Sequence, residues 1–190
     1  MNPRPKSGRP GKYTSDYDVK KALIYERHKE KCPICGAESE LQFLLYEISH
    51  FGDALMFIAV CPSCGYRYTD VMILSGEKKG RYKMEISSAD DLNVTVIRSS
   101  FGSIEIPELG VSVEPRRGES FISTAEGVLK RVEKVVKMLS RDVKGKKKKR
   151  AEYVLKQIER IKSGDATMTL IIDDPTGNSA IISDKAKIMD

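Results

Sequence analysis

Cys32-Pro33-Ile34-Cys35-Gly36 and Cys61-Pro62-Ser63-Cys64-Gly65 decide how this chain is read. Two residues between thiolates let both sulfurs face one point while the backbone makes a tight knuckle. Two such knuckles close a tetrahedral shell, so Cys32, Cys35, Cys61 and Cys64 are expected to hold one structural zinc ion. With four thiolates bound, no coordination position is left for water, so the site is not catalytic. The glycine after each pair supplies a positive φ, which lets the chain turn beneath the metal. A redox Cys-x-x-Cys normally comes singly, beside a helix in a βαβ pattern that is absent here. An iron–sulfur cluster also takes four thiolates, but the symmetric double knuckle suits zinc better.

The 25 residues between the knuckles are dense in β-formers. Residues 41–48 and 54–60 read as strands, with Gly52-Asp53 as turn chemistry between them, and strand character resumes over residues 66–74. Further short strands are expected at 94–97, 103–106, 111–113, 167–172 and 180–182. Between them the pattern changes period. Ser123-Thr124-Ala125-Glu126 has capping-box spacing, and Val128, Leu129, Val132, Val135, Val136 and Leu139 follow at helical spacing. Tyr153, Val154, Ile158 and Ile161 mark a second helix. The run Lys144-Gly145-Lys146-Lys147-Lys148-Lys149-Arg150 separates the two and is expected to be the solvated tip of a helical hairpin, far from the β core. The chain thus reads as mainly β (α+β), with two helices inserted into a β domain.

The expected organisation is a disordered basic arm over residues 1–14 and a short helix or linker over 15–31. A zinc ribbon over 32–75 and a β domain over 76–190 follow, with the hairpin at about 123–163. In the helix over 15–27, Ser15 is the cap and Val19, Ala22 and Leu23 share a face. A chain of 190 residues with 40% hydrophobic content is long enough for one core plus a small module. Its longest purely apolar run, residues 54–60, is far short of the ~20 residues that span a bilayer. No apolar stretch follows the basic N-terminus, so no secretory signal is expected and a cytoplasmic location is.

Net charge is +6, and it is unevenly placed. Residues 1–31 carry nine Lys/Arg against four Asp/Glu, and the run over 144–150 adds six positive charges, leaving the remainder mildly acidic. From Cys32 to Asp70 one basic residue, Arg67, faces five acids: Glu38, Glu40, Glu47, Asp53 and Asp70. That disfavours the ribbon as a phosphate binder. His28 and His50 could approach the metal, but four cysteines already saturate zinc. Asp173, Asp174, Asn178 and Ser179 read as a turn in which Asp and Asn bond the backbone, in preference to an acid/nucleophile cluster. No histidine lies near them in sequence to serve as a base. Gly118 and Gly127 sit in no phosphate-binding fingerprint.

The chain resembles the ZPR-type zinc-finger family in its single-module, archaeal-type form. The resemblance covers about residues 30–182. It rests on Cys64-Gly65-Tyr66-Arg67 with Asp70-Val71, and on Asp91-Leu92 followed by Arg98-Ser99-Ser100. Ile106-Pro107-Glu108-Leu109, Ser123-Thr124-Ala125-Glu126-Gly127-Val128-Leu129 and Asp174-Pro175-Thr176-Gly177-Asn178-Ser179 complete it. The chain departs from the family at Ile48-Ser49-His50-Phe51, where an Ile-Pro-aromatic-Phe stretch is usual. The resemblance implies a zinc ribbon followed by a double-stranded β-helix domain with an inserted α-helical hairpin. It also implies a non-enzymatic, chaperone-type binding protein whose partner is translation elongation factor 1-alpha. Eukaryotic members carry two such modules. The alternative is a nucleic-acid-binding ribbon protein that uses the basic arm and the hairpin loop at Lys146–Arg150 for phosphate contacts. An enzyme on the β domain is disfavoured, because both histidines lie before residue 51.

Overall fold

The computed structural model describes residues 19–48, 51–75 and 79–189. An antiparallel meander comes first: β1 (Val19–Lys31), β2 (Glu38–Ile48), β3 (Gly52–Val60) and β4 (Arg67–Ile73), in that spatial order. The two knuckles are the β1–β2 and β3–β4 connections, so strand pairing brings them to the same end of the sheet.

β1 corrects the expected helix over residues 15–27, of which 15–18 and the rest of the basic arm lie outside the described residues. Register shifts between Lys20 and Leu23 and between Ile24 and Glu26 break the two-residue alternation that marks a strand. What remains in the sequence, apolar residues at 19, 22 and 23, mimics a helical face. The tertiary gain decides the outcome. Leu23 and Ile24 pair opposite Leu45 and Leu44, and the backbone ladder is completed.

The second part is a jelly roll of two sheets. The five-stranded sheet has the order β12 (Lys187–Met189), β5 (Arg81–Ile86), β10 (Met168–Asp173), β7 (Ser103–Ile106), β8 (Val111–Val113). The three-stranded sheet has the order β11 (Ala180–Ile182), β6 (Thr95–Arg98), β9 (Phe121–Thr124). Tyr82, Met84 and Ile86 alternate inward from β5, as do Met168, Leu170 and Ile172 from β10. Ile48, Ala54, Val71 and Ile73 of the meander belong to the same core, so the ribbon is docked on the jelly roll.

Helices α1 (Ala125–Leu139) and α2 (Gly145–Lys162) are inserted between β9 and β10. Thr124, not Ser123, caps α1, its hydroxyl accepting from the Gly127 N–H at 3.1 Å. The reason is that Ser123 and Thr124 are still paired to β6, which delays the helix by a residue. Val128, Leu129 and Val132 pack against the core together with Val154, Ile158 and Ile161, while Val135, Leu139 and Tyr153 are exposed. Glu133 bridges Lys137 and Lys162 and joins the two helices.

The basic run is not a loop. Residues 145–150 form the opening turns of α2, and the hairpin connection is shorter. Lys and Arg are good helix formers, and Gly145, with φ +61°, opens the helix without steric cost. The end of the run also touches the β domain, since Arg150 Nη2 donates to the Leu109 carbonyl at 2.7 Å. Arg150→Ala is therefore expected to cost about 1–2 kcal/mol in urea unfolding, through loss of a charge-assisted bond. Lys147→Ala, at an exposed position, should stay within about 0.5 kcal/mol.

Candidate metal centre

Each knuckle is built by the same backbone device. The Gly36 N–H donates to the Cys32 carbonyl at 2.9 Å, and the Gly65 N–H donates to the Cys61 carbonyl at 3.0 Å. The Cys32 N–H reaches the Ala37 carbonyl at 2.8 Å and the Cys61 N–H reaches the Tyr66 carbonyl at 2.9 Å. Both glycines have the expected left-handed φ, +71° and +76°. Cys32 and Cys61 are buried; Cys35 and Cys64 face outward.

The four sulfurs all lie within 4.8 Å of one another. Cys32 Sγ is 3.7 Å from Cys64 Sγ, and Cys35 Sγ is 3.6 Å from Cys61 Sγ. Sulfurs each ~2.3 Å from one tetrahedral zinc are about 3.8 Å apart. The donor set and its spacing fit, and the four cysteines are positioned to bind one zinc ion. The Ile34 N–H points at Cys32 Sγ at 3.4 Å, the kind of backbone donor that supports a metal-bound thiolate. The N–H groups of Cys64 and Ser63 help hold the Cys61 thiol down at about 7. The Tyr66 N–H favours the Cys64 thiolate, yet burial and the sulfurs of Cys35, Cys61 and Cys32 push that thiol up to about 12. Four sulfurs this close do not all ionise without a cation among them. When bound, zinc supplies that cation and crosslinks the ends of β1–β2 and β3–β4. His28 is not a fifth ligand here: it lies along β1, with Nε2 2.9 Å from Glu26 Oε1 and its ring edge-on to Phe43. His50 lies outside the described residues.

At its other end the ribbon meets the jelly roll through polar contacts that no local spacing foretold. Thr69 on β4 bridges to Glu119, its N–H donating to the Gly118 carbonyl at 3.0 Å and its hydroxyl to the Ser120 carbonyl at 2.9 Å. Asp70 Oδ1 accepts from Ser120 Oγ at 2.8 Å. Asn178 Oδ1 accepts from the Ile73 N–H at 3.2 Å.

Behind this joint, Asp174 is fully buried. Its carboxylate accepts from the hydroxyls of Ser99 and Ser179, both at 2.6 Å, and from Thr176 N and Oγ1 at 2.8 and 2.7 Å. The Gly177 N–H closes the turn on the Asp174 carbonyl at 2.9 Å. Asp173, by contrast, is exposed on β10. The group is thus a satisfied turn, as the sequence suggests, and it also welds the two sheets.

Burial opposes the charge on Asp174, but the bonds from Ser179, Ser99 and Thr176 hold its pKa below the ordinary value. Asp91 behaves likewise: burial is outweighed by Lys185 Nζ at 2.6 Å and by the Ser87 and Ser88 N–H groups. Both folded-state pKa values are depressed. The stability these groups add is complete above their unfolded values of about 4 and is lost as pH falls through the folded ones. The thermal midpoint followed by circular dichroism should therefore drop on acidification below about pH 4.

Residues 26–77 match the ZPR1 zinc-finger domain and residues 90–190 match the ZPR1 jelly-roll domain. The chain is 37% identical over 178 residues to an uncharacterised ZPR1-like protein of Pyrococcus horikoshii, covering 90% of this chain and 79% of that one. It is 38% identical over 157 residues to a ZPR1-like protein of Methanocaldococcus jannaschii, covering 80% and 79%. It is also 30% identical over 156 residues to a zinc finger chaperone of Schizosaccharomyces pombe, covering 78% of this chain and 34% of that one. The chain thus spans about a third of the yeast protein.

Proposed function

The chain belongs to the ZPR1 zinc-finger family, and from that premise we propose that it is a non-enzymatic, chaperone-type binding protein of the cytoplasm whose partner is translation elongation factor 1-alpha. The observation that carries this reading is the closed four-cysteine site. A metal held by four thiolates has no position for substrate, so what it offers is shape. That shape is a ribbon fixed at one end by the knuckles and at the other by the Thr69, Asp70 and Asn178 contacts to the jelly roll. The name of the yeast relative, a zinc finger chaperone, supports a protein client. The sequence has no Walker or dinucleotide fingerprint, so any nucleotide dependence comes from the partner.

A pull-down from source-cell lysate at low salt, with mass-spectrometric identification, tests this. Enrichment of the elongation factor in at least one nucleotide state is expected; recovery in neither would overturn the proposal. A second reading keeps one observation of its own: Lys146, Lys147, Lys148 and Lys149 stand exposed on one helix end. If RNA dominates the recovered material and is lost steeply with salt, these charges drive binding and the nucleic-acid reading replaces the first.

A further inference from the structure

The apolar stripe of α1 outruns its cover. Val128, Leu129 and Val132 are buried. Val135, Met138 and Leu139 follow at i, i+3 and i+4 spacing and are 48%, 56% and 62% exposed. α1 ends at Leu139 and α2 opens at Gly145, so the basic run sits at the same end of the hairpin. Residues 134–153 hold nine Lys/Arg against two Asp/Glu, a net +7 where the whole chain has +6. The hairpin end thus carries the charge excess of the molecule. Its cations are not neutralised from within. The side chains of Lys134, Arg141, Lys144, Lys146, Lys147, Lys148 and Lys149 have no ion-pair partner among the described residues.

This end is held in place. Arg150 Nη2 reaches the Leu109 carbonyl across Gly110, where a Cβ would stand 2.5 Å from that nitrogen. Glu133 ties α1 to α2 through Lys162. The opening of α2 is nonetheless locally unfavourable. No side chain caps it, its first turn holds no acid, and its lysines stand at the positive end of the helix dipole. Carboxylates arriving from outside relieve that arrangement. Breaches of local rules of this kind mark interaction surfaces.

The two features together select the occupant. Phosphates would meet the lysines but leave Val135, Met138 and Leu139 uncovered. Bases would find no stacking platform, since Tyr153 is the one aromatic over residues 134–153 and Arg150 already lies 5.3 Å from its ring. The end also lacks the Trp and Phe that seat an interfacial helix in lipid. A helix with an apolar stripe and flanking carboxylates answers both features at once.

We propose that the end of the helical hairpin is a docking site for an acidic amphipathic helix of a partner protein. The apolar side of that helix packs on Val135, Met138 and Leu139. Its carboxylates meet Lys134, Arg141 and the lysines that open α2.

The test uses the full zinc-loaded chain and calorimetric titration at physiological salt. The probe is a synthetic helix-forming peptide of glutamate, alanine and leucine whose leucines share one face. Saturable one-to-one binding is expected. A peptide of the same composition with its leucines scattered round the helix should bind at least tenfold more weakly. Met138→Ser with Leu139→Ser should weaken the first peptide at least tenfold, and Lys147→Ser with Lys148→Ser severalfold. Lys187→Ser, on β12 at the far edge of the five-stranded sheet from β8, should leave binding unchanged. All these positions are exposed, and an unchanged thermal midpoint shows that each variant is folded. Equal binding of the two peptides, or indifference to the Met138 and Leu139 changes, overturns the proposal by reducing the surface to bare charge. Tighter binding of an oligouridine or of phosphatidylserine vesicles than of the peptide overturns it in favour of those anions. Dimerisation of the chain that Leu139→Ser abolishes overturns it too, by giving the stripe to a second copy. None of these readouts involves the elongation factor, so failure here and failure of the proposed function are distinguishable.

Discussion

Cys61→Ser is expected to abolish zinc binding and unfold the ribbon. Cys61 is 1% exposed, and its sulfur lies 3.6 Å from that of Cys35. A serine hydroxyl is a poor zinc ligand and leaves three thiolates around an incomplete shell. Structural zinc contributes on the order of 10 kcal/mol of apparent folding free energy, comparable to the whole stability of a typical domain, about 5–15 kcal/mol. The ribbon has little to replace it with, since much of β2 and β3 is only half-buried. Hydrogen exchange should show protection lost across β1 to β4, and metal analysis should fall from one zinc per chain to none. The jelly roll should keep part of its protection, because Met84, Ile104, Leu170 and Ile172 lie on strands β5, β7 and β10, which pair with one another and not with the ribbon. Its midpoint should still drop, because Ile48, Ala54, Val71 and Ile73 are withdrawn from the shared core. Chelation of the unaltered chain should reproduce the same pattern.

Asp174→Ala should be the most damaging substitution in the jelly roll. It removes an acceptor that satisfies Ser99, Ser179 and Thr176 at a position with 0% exposure. Orphaned buried donors cost about 1–3 kcal/mol each, and breaking a buried charged network costs about 3–5 kcal/mol in all. Arg98, buried nearby and bonded to the carbonyls of Gly102, Glu119 and Glu114, loses a compensating negative charge as well. A fall in thermal midpoint of roughly 10 °C is expected for a chain of this size. Asp173→Ala, one residue away but exposed, should stay within about 1 kcal/mol. Equal effects at the two positions would contradict the network described here.

The metal site was legible in sequence because it is local: two knuckles of five residues, each with its own glycine, carry their geometry within themselves. The inserted hairpin was legible because Val128, Leu129 and Val132, like Val154, Ile158 and Ile161, repeat at helical spacing. β1 was not, because its two register shifts erase the alternation and only pairing with β2 defines it. The basic run was misplaced because polarity says that a segment is solvated, not that it is a loop; helix propensity and the Arg150 contact with Leu109 decide its conformation. The joint between ribbon and jelly roll was invisible, since Thr69 meets Ser120 and Ile73 meets Asn178 across 51 and 105 residues.

A zinc-held ribbon docked on the jelly roll is the surface proposed to be recognised by a protein client. The direct measurement is calorimetric titration of purified elongation factor 1-alpha, in its GDP-bound and GTP-bound states, into the zinc-loaded chain and into the same chain after chelation. Saturable one-to-one binding to the zinc-loaded form is expected in at least one state, reduced at least tenfold when zinc is removed. Absence of binding in both states, or affinity unchanged by zinc removal, would contradict it.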